Sequence, residues 1–223
     1  ACKWNYDSAR GAFVPEIYEA LGVPSLLDKL PQRIVPVGAP LAPLRQDVAE
    51  ALGITTPAIV AQGGIDAHIG ILGADTVAAG GMLIIGGTSM VHLCHLEGQG
   101  DVTGFWGPYP NALVDGLWLV EAGQVSAGSI LNWLSHTVFG LDENGHADLM
   151  DEAARRAAGG SGLLTLDYFM GNRTPYRDVD LRGAVLGLSL GHDRADIYAS
   201  AVDSIALGSA NAVDVLKQRG VRT

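Results

Sequence analysis

The segment Gly63-Gly64-Ile65-Asp66-Ala67-His68 sets a carboxylate behind a pair of glycines, and about twenty residues later Gly86-Gly87-Thr88-Ser89 forms a glycine-rich turn. A hydroxyl is a poor nucleophile until a base removes its proton. The phosphoryl group it attacks needs backbone N–H donors brought close by residues without a bulky Cβ. Together the two segments supply the parts for phosphoryl transfer. Each also has a structural reading: Asp66 caps a short helix ending at Gly73, and the glycines turn a β-hairpin between apolar strands. His92, Cys94 and His95 are a second group of ligand-type side chains. Strand alternation sends His92 and Cys94 to one face and His95 to the other, which argues against a metal cage. No metal-ligating residue is assigned in this chain.

The elements that must position these groups follow from periodicity and punctuation. Residues 15–21 and 43–52 read as short helices closed by Gly22 and Gly53. Residues 58–61 read as a short buried strand, after which Gly63-Gly64 turns the chain and Asp66 opens a helix, a corner suited to ligand contact. Beyond residue 74 the pattern becomes strand 81–85, turn 86–89 and strand 90–96. Residues 117–120 form an apolar strand with Glu121 at its end, followed by a helix over 126–139 that stops at Gly140. Short strands are expected at 163–169 and 185–190. Asp193 then caps a long amphipathic helix, with Ile197, Ala201, Ile205, Ala212 and Leu216 near one face and Gly220 as its stop. The alternation implies mixed α/β architecture, with one lobe over 1–77 and a second over 78–223.

Composition narrows the classes. The chain has 223 residues, 48% of them hydrophobic, enough for a substantial core. Fourteen basic against 24 acidic residues give a net charge of −10, which disfavours generic attachment to nucleic acid or to an anionic membrane. No run approaches the length of a spanning helix and no basic-then-apolar leader opens the sequence, so the expectation is a soluble, cytoplasmic protein. Cys2 and Cys94 are too few for a disulfide scaffold. Glycine is over-represented, at 30 of 223 residues against a usual share of about 7%. Many of these glycines stand at the ends of apolar runs, where chain reversal or close ligand approach uses them. Trp4, Trp106, Trp118 and Trp133 are read as core or pocket walls in so acidic a chain.

The chain resembles the FGGY carbohydrate kinases, the sugar-kinase branch of the actin-like, ribonuclease H-like ATPases. Gly-Ile-Asp66-Ala-His resembles that family's catalytic-base motif, and Gly87-Thr88-Ser89 resembles its second phosphate motif. Gly183-Ala-Val-Leu-Gly187-Leu188 through Asp196-Ile197 to Asp203 is similar to its C-terminal signature. Cys2-Lys3-Trp4, Trp106-Gly107-Pro108-Tyr109, Glu121-Ala122-Gly123-Gln124 and Gly171-Asn172-Arg173-Thr174-Pro175 resemble the ribulokinase branch. The resemblance implies a two-lobed α/β fold, with ATP and Mg²⁺ as cofactors and a small-molecule sugar as partner. A homodimer is allowed. It implies Asp66 as the base that accepts the proton of a ketopentose primary hydroxyl, D-ribulose being the first choice. L-ribulose, xylulose and pentitols are the alternatives, and a non-catalytic actin-like binding module is the alternative of another class. Lys3, Ala67 and Glu121 join Asp66 as sugar-contacting positions, while Gly87, Thr88, Gly128 and Asn132 are implied for the nucleotide. His68 is open between lining the sugar pocket and packing behind Asp66. Arg173, Arg177, Asp178 and Arg182 are expected to form an ion-pair network. The family's opening phosphate loop and closing adenosine motif have no counterpart here, so both lobes are expected to be incomplete in this chain.

Overall fold

The computed structural model describes residues 2–221; the Cys2 side chain, counted above with Cys94, lies outside the described part. In chain order the elements are β1 (Tyr6–Asp7), β2 (Ala12–Phe13), α1 (Pro15–Ala20), β3 (Pro40–Pro43), α2 (Gln46–Ala51), β4 (Ile59–Ala61), α3 (Asp66–Gly73), β5 (Met82–Gly86), β6 (Met90–Leu96), β7 (Trp106–Pro110), β8 (Trp118–Gln124), α4 (Gly128–Asn132), α5 (Glu143–Ala154), β9 (Leu164–Leu166), β10 (Ala184–Leu186) and α6 (Arg194–Gln218). Short 3-10 turns occupy Cys2–Trp4 and Pro24–Lys29.

The organising unit is an antiparallel four-stranded sheet in the order β5-β6-β8-β7. Because side chains alternate along a strand, its two faces bury different sets of residues. One face presents Cys94, Val120 and Ala122 to Ala212 and Leu216 of α6. The other presents Leu93 and Leu119 to Ile71 of α3, with Leu83, Ile85 and Val91 alongside. A third cluster joins Ile130 and Leu134 to Leu149 and Ala153 of α5 and to Ala195, Tyr198 and Ala201 of α6.

The helix α6 begins as predicted. Asp193 accepts the Ala195 and Asp196 N–H groups, and Asp196 returns a bond to the Asp193 N–H, a reciprocal cap. Its buried stripe differs from the expected one: Ile197 and Ile205 are only half buried, while Ser200, Ser204 and Ser209 are covered. Ser200 and Ser204 donate back to the carbonyls of Ile197 and Ala201 at 2.8 Å, so small residues bring α6 close to its neighbours without orphaned hydroxyls. Apolar periodicity cannot register that solution.

Several element boundaries also need correcting. Residues 43–52 are not one helix: Pro43 ends β3, and α2 starts only at Gln46 behind an extended Arg45. The strand at 59–61 is exposed rather than buried, since its one partner is β3, which is itself exposed. The helix over 126–139 starts at Gly128 and widens into a π-helical turn at Trp133–Val138 before Gly140 ends it at φ +65°. The strands expected at 163–169 and 185–190 shrink to three residues each, paired with one another. Helix α5, with Asp142 capping through Gly145 N at 2.9 Å, and strand β7 were not foreseen. Of the four tryptophans expected as core or pocket walls, Trp4 and Trp133 are substantially exposed, and Trp4 lines a surface cleft with Phe13 and Leu30. Among the described residues, no helix is long and apolar enough to cross a membrane.

Candidate active site

Helix α3 and strand β5 form a hairpin. After Gly73 the chain turns so tightly that a Cβ on Gly81 would stand 2.8 Å from the Thr76 carbonyl oxygen, and β5 then runs back along the helix. In mid-helix, a Cβ on Gly70 would meet Leu83 Cδ2 at 3.3 Å and Ile85 Cδ1 at 3.8 Å. Eight helical residues span about 12 Å and five strand residues about 16 Å, so the return brings the end of β5 to the level of the start of α3. Asp66 and the Gly87-Thr88 turn therefore sit at the same end of the hairpin. The Asp66 carboxylate is exposed, with Oδ1 accepting the Ala67 N–H at 2.8 Å. Ala67 is half buried against the Ile71–Leu93–Leu119 cluster, so its methyl belongs to packing and its N–H is already engaged.

Glu121 is not at a strand end. Strand β8 continues to Gln124, and Glu121 pairs in register with Leu93 of β6 and Trp106 of β7. It shares the α3 face of the sheet with Leu119. Its carboxylate forms an ion pair with the Lys3 ammonium through Oε2. The same oxygen faces His68 Nε2, in the first turn of α3, at 3.4 Å. Burial alone would raise the Glu121 pKa, but the hydrogen bonds and positive charge of His68 and Lys3 outweigh it and hold the carboxyl below its usual range. Lys3 also stands 5.3 Å from the ring centroids of both Trp106 and Tyr109, which confine its flexible stem. Lys3, His68 and Glu121 thus form one group whose helical member lies two residues from Asp66. His68, left open by sequence, is buried with its ring directed at Glu121.

The residues that the resemblance implied for the nucleotide converge through the backbone. The Gly128 N–H donates to Gly87 O at 3.0 Å, and Thr88 O accepts from Ala127 N–H at 3.0 Å and from Ser129 N–H at 3.2 Å. A Cβ on Gly128 would lie 2.6 Å from Gly87 O, so only glycine allows this approach. Asn132 follows one turn later on the same side of the helix and is exposed. Ser129 was not singled out by sequence. Its hydroxyl is buried without a hydrogen-bond partner among the described residues, in the residue whose N–H donates to Thr88 O of the exposed Gly87-Thr88 turn. An orphaned donor in the residue that contacts an exposed glycine turn fits a phosphate-bearing ligand. The only sequence signal for it was its place next to Gly128.

The segment after β9 supports this sheet edge. The Thr174 hydroxyl accepts from Gly123 N–H at 2.8 Å and donates to Gly123 O at 2.9 Å, which holds β8 beyond Glu121. Arg173 stacks over Trp106 at 4.4 Å. The expected ion-pair network is absent from the described residues: Arg177 bonds Phe105 O, Arg182 bonds the carbonyls of Val179 and Leu181, and Asp178 caps the Asp180 N–H. These side chains fix an irregular loop by satisfying its backbone. His92 and Cys94 face α6 while His95 donates through Nδ1 to Val77 O at 2.8 Å, and all three are buried. Burial lowers the pKa of both histidines and pushes the Cys94 thiol up to about 11. A cleft of about 310 Å³ runs along Gly63, Gly64 and Ile65 to His68, with Tyr6 and Pro110 opposite.

The profile of the FGGY family of carbohydrate kinases, C-terminal domain, matches residues 82–223, more than half of the chain. A ribulokinase of Shouchella clausii (strain KSM-K16) is 31% identical over 202 residues, covering 86% of this chain and 36% of the relative. A ribulokinase of Halalkalibacterium halodurans is 33% identical over the same shares. A human FGGY carbohydrate kinase domain-containing protein is 30% identical over 261 residues, 98% of this chain and 46% of its own. The xylulose kinase of Rhodospirillum rubrum superposes with a TM-score of 0.76 at 24% identity, over 96% of this chain and 42% of that one. Glycerol kinase of Plasmodium falciparum with ADP superposes at 0.72 and 17% identity, over 93% and 40%. The chain thus spans less than half the length of these relatives, and its fold is the actin-like, ribonuclease H-like ATPase fold they share. The chain belongs to the FGGY family of carbohydrate kinases.

Proposed function

We propose that the protein is an ATP-dependent kinase for the terminal primary hydroxyl of a ketopentose, D-ribulose in first place, with Asp66 as the base. The observation that carries this reading is the α3–β5 hairpin. It sets Asp66 at the same end as the Gly87-Thr88 turn, with the Lys3–His68–Glu121 group on the same face of the sheet. ATP, with a divalent cation, supplies the phosphoryl group and the charge neutralisation it requires. Asp66 takes the hydroxyl proton on its exposed carboxylate. Lys3 and Glu121 hold the sugar's keto oxygen and hydroxyls, groups suited to a cation and an acceptor respectively. Gly87, Thr88, Gly128 and the Ser129 hydroxyl cradle phosphate, and Asn132 extends that surface along the helix. In this reading residues 1–77 belong to a sugar-binding lobe and 78–223 to a nucleotide-binding lobe. Preference for ribulose draws its support from the ribulokinase relatives.

ADP release by the full-length protein, measured with D-ribulose, L-ribulose, D-xylulose, pentitols and glycerol, tests the proposal. D-ribulose is expected to give the highest kcat/KM. Preference for another pentulose or a pentitol overturns the choice of sugar. Sugar binding without ADP release from any of them overturns catalysis in favour of a binding module.

A further inference from the structure

We propose that His136, Glu143 and His146 form a site for a divalent transition-metal ion of zinc type, distinct from the Lys3–Glu121 group and the Gly87-Thr88 turn. Among the described residues this is the one cluster in which three ligand-type side chains converge, each offering a ligand atom within 4.8 Å of the other two. Glu143 and His146 are three residues apart in the first turn of α5, so they share a helix face. His136 comes from the π-helical turn, beyond which Gly140 reverses the chain.

The surroundings already orient the histidines. His136 Nδ1 lies 2.7 Å from Leu141 O, an acceptor, so Nδ1 donates to it and Nε2 is the ring atom left for an ion. That Nε2 is the atom 3.7 Å from Glu143 Oε1. The His146 ring is anchored through Nε2 to the buried Tyr198 hydroxyl at 3.0 Å and meets the His136 ring edge-on at 5.3 Å. An outer partner of this kind orients the ring of a metal-binding imidazole and leaves Nδ1 as the His146 atom open to an ion. Two ligand atoms on one tetrahedral zinc stand about 3.3 Å apart for bonds of about 2.0 Å. His136 Nε2 and Glu143 Oε1 stand 3.7 Å apart and all three ligand atoms lie within 4.8 Å, so closing on an ion takes up to about 1.5 Å; the Glu143 side chain, 92% exposed, is free to make its share, and the two rings make the rest. Its negative charge also offsets the positive end of the α5 dipole, which would otherwise oppose a cation. Two imidazoles and one carboxylate suit zinc or its neighbours rather than magnesium, and leave a position for water. Such an ion would tie the π-helical turn to α5 and, through Tyr198, to α6.

The test is a zinc titration of chelator-stripped protein against a chromophoric chelator, with no nucleotide present. One ion per chain is expected, with affinity falling at least about 100-fold in His136→Gln and in His146→Gln, and about 10- to 100-fold in Tyr198→Phe, where only the outer partner is lost. Failure of the protein to compete for zinc, or unchanged affinity in the double His136→Gln, His146→Gln variant, overturns the site. Should that variant misfold, X-ray absorption of the zinc-loaded wild type decides: imidazole scattering with only nitrogen and oxygen at about 2.0–2.2 Å supports it, and a sulfur shell or a lack of imidazole overturns it. Kinase activity enters none of these readouts, so the site stands or falls independently of the proposed reaction.

Discussion

Replacing Glu121 by glutamine keeps the shape of the side chain and removes its charge, so it isolates what the carboxylate does for Lys3 and His68. Glu121 is 12% exposed and Lys3 38% exposed, which puts the pair between two regimes. Exposed ion pairs contribute about 0–1 kcal/mol, whereas removing one partner of a buried pair costs about 3–5 kcal/mol. Lys3 reaches water and can be resolvated, so the lower half of that interval applies: a loss of about 1–2 kcal/mol. At this chain length that lowers the melting temperature by roughly 2–8 °C. The sign of the pH dependence follows from the depressed folded-state pKa. The carboxylate's contribution is fully present above its unfolded value near pH 4.5 and is lost as pH falls through the folded value. Urea unfolding of wild type and Glu121→Gln should therefore differ by a constant amount between pH 6 and 8 and converge in acid. A cycle with Lys3→Met should return a coupling of about 1 kcal/mol. A coupling near zero, or a wild-type advantage that does not shrink as pH falls below 4.5, refutes the reasoning that charge pairing holds this group together. In steady-state kinetics of the full-length protein, the same substitution should raise the sugar KM about tenfold or more, with the KM for ATP little changed.

Asp66→Asn should lower kcat by roughly two to four orders of magnitude with a smaller change in sugar affinity; a folded variant with near-normal turnover would remove Asp66 as the base. Gly128→Ala should destabilise the protein by about 1–3 kcal/mol, because its Cβ meets Gly87 O, and should weaken nucleotide binding measured by calorimetry. Unchanged binding would detach the Gly87-Thr88 turn from the nucleotide. Asp193→Ala removes both the cap of α6 and the 2.7 Å contact with Arg156, and should cost about 1–2 kcal/mol in urea unfolding, while Asp193→Asn, which still caps, should retain most of it.

Local chemistry was legible in the sequence wherever the cause was itself local. Gly63-Gly64 before Asp66 marked the corner that opens α3, Gly86-Gly87 marked the turn between β5 and β6, and Asp193 with Asp196 three residues on marked the start of α6; each is decided by the conformational freedom or hydrogen bonding of a few neighbouring residues. What depends on partners distant in sequence was not legible. Glu121 looked like a strand terminus because an apolar run ended before it, yet pairing with β6 carries the strand three residues further and a lysine 118 positions away pairs with its charge. Ser200 and Ser204 of α6 are buried with their hydroxyls bonded to the helix's own carbonyls and Ser209 with its hydroxyl on Gln124, while Arg177 and Arg182, expected to pair with Asp178, bond carbonyl oxygens instead. The His136–Glu143–His146 cluster arises from a π-helical turn and a helix that the apolar pattern did not announce. Residue types and spacing by themselves suggested a carboxylate beside a phosphate-binding turn and carried the family resemblance. Which charges meet, which hydroxyl is left unpartnered and which histidines share a corner are set by the packing of α3, α5 and α6, since energies of burial and pairing act between segments that only the tertiary fold brings together.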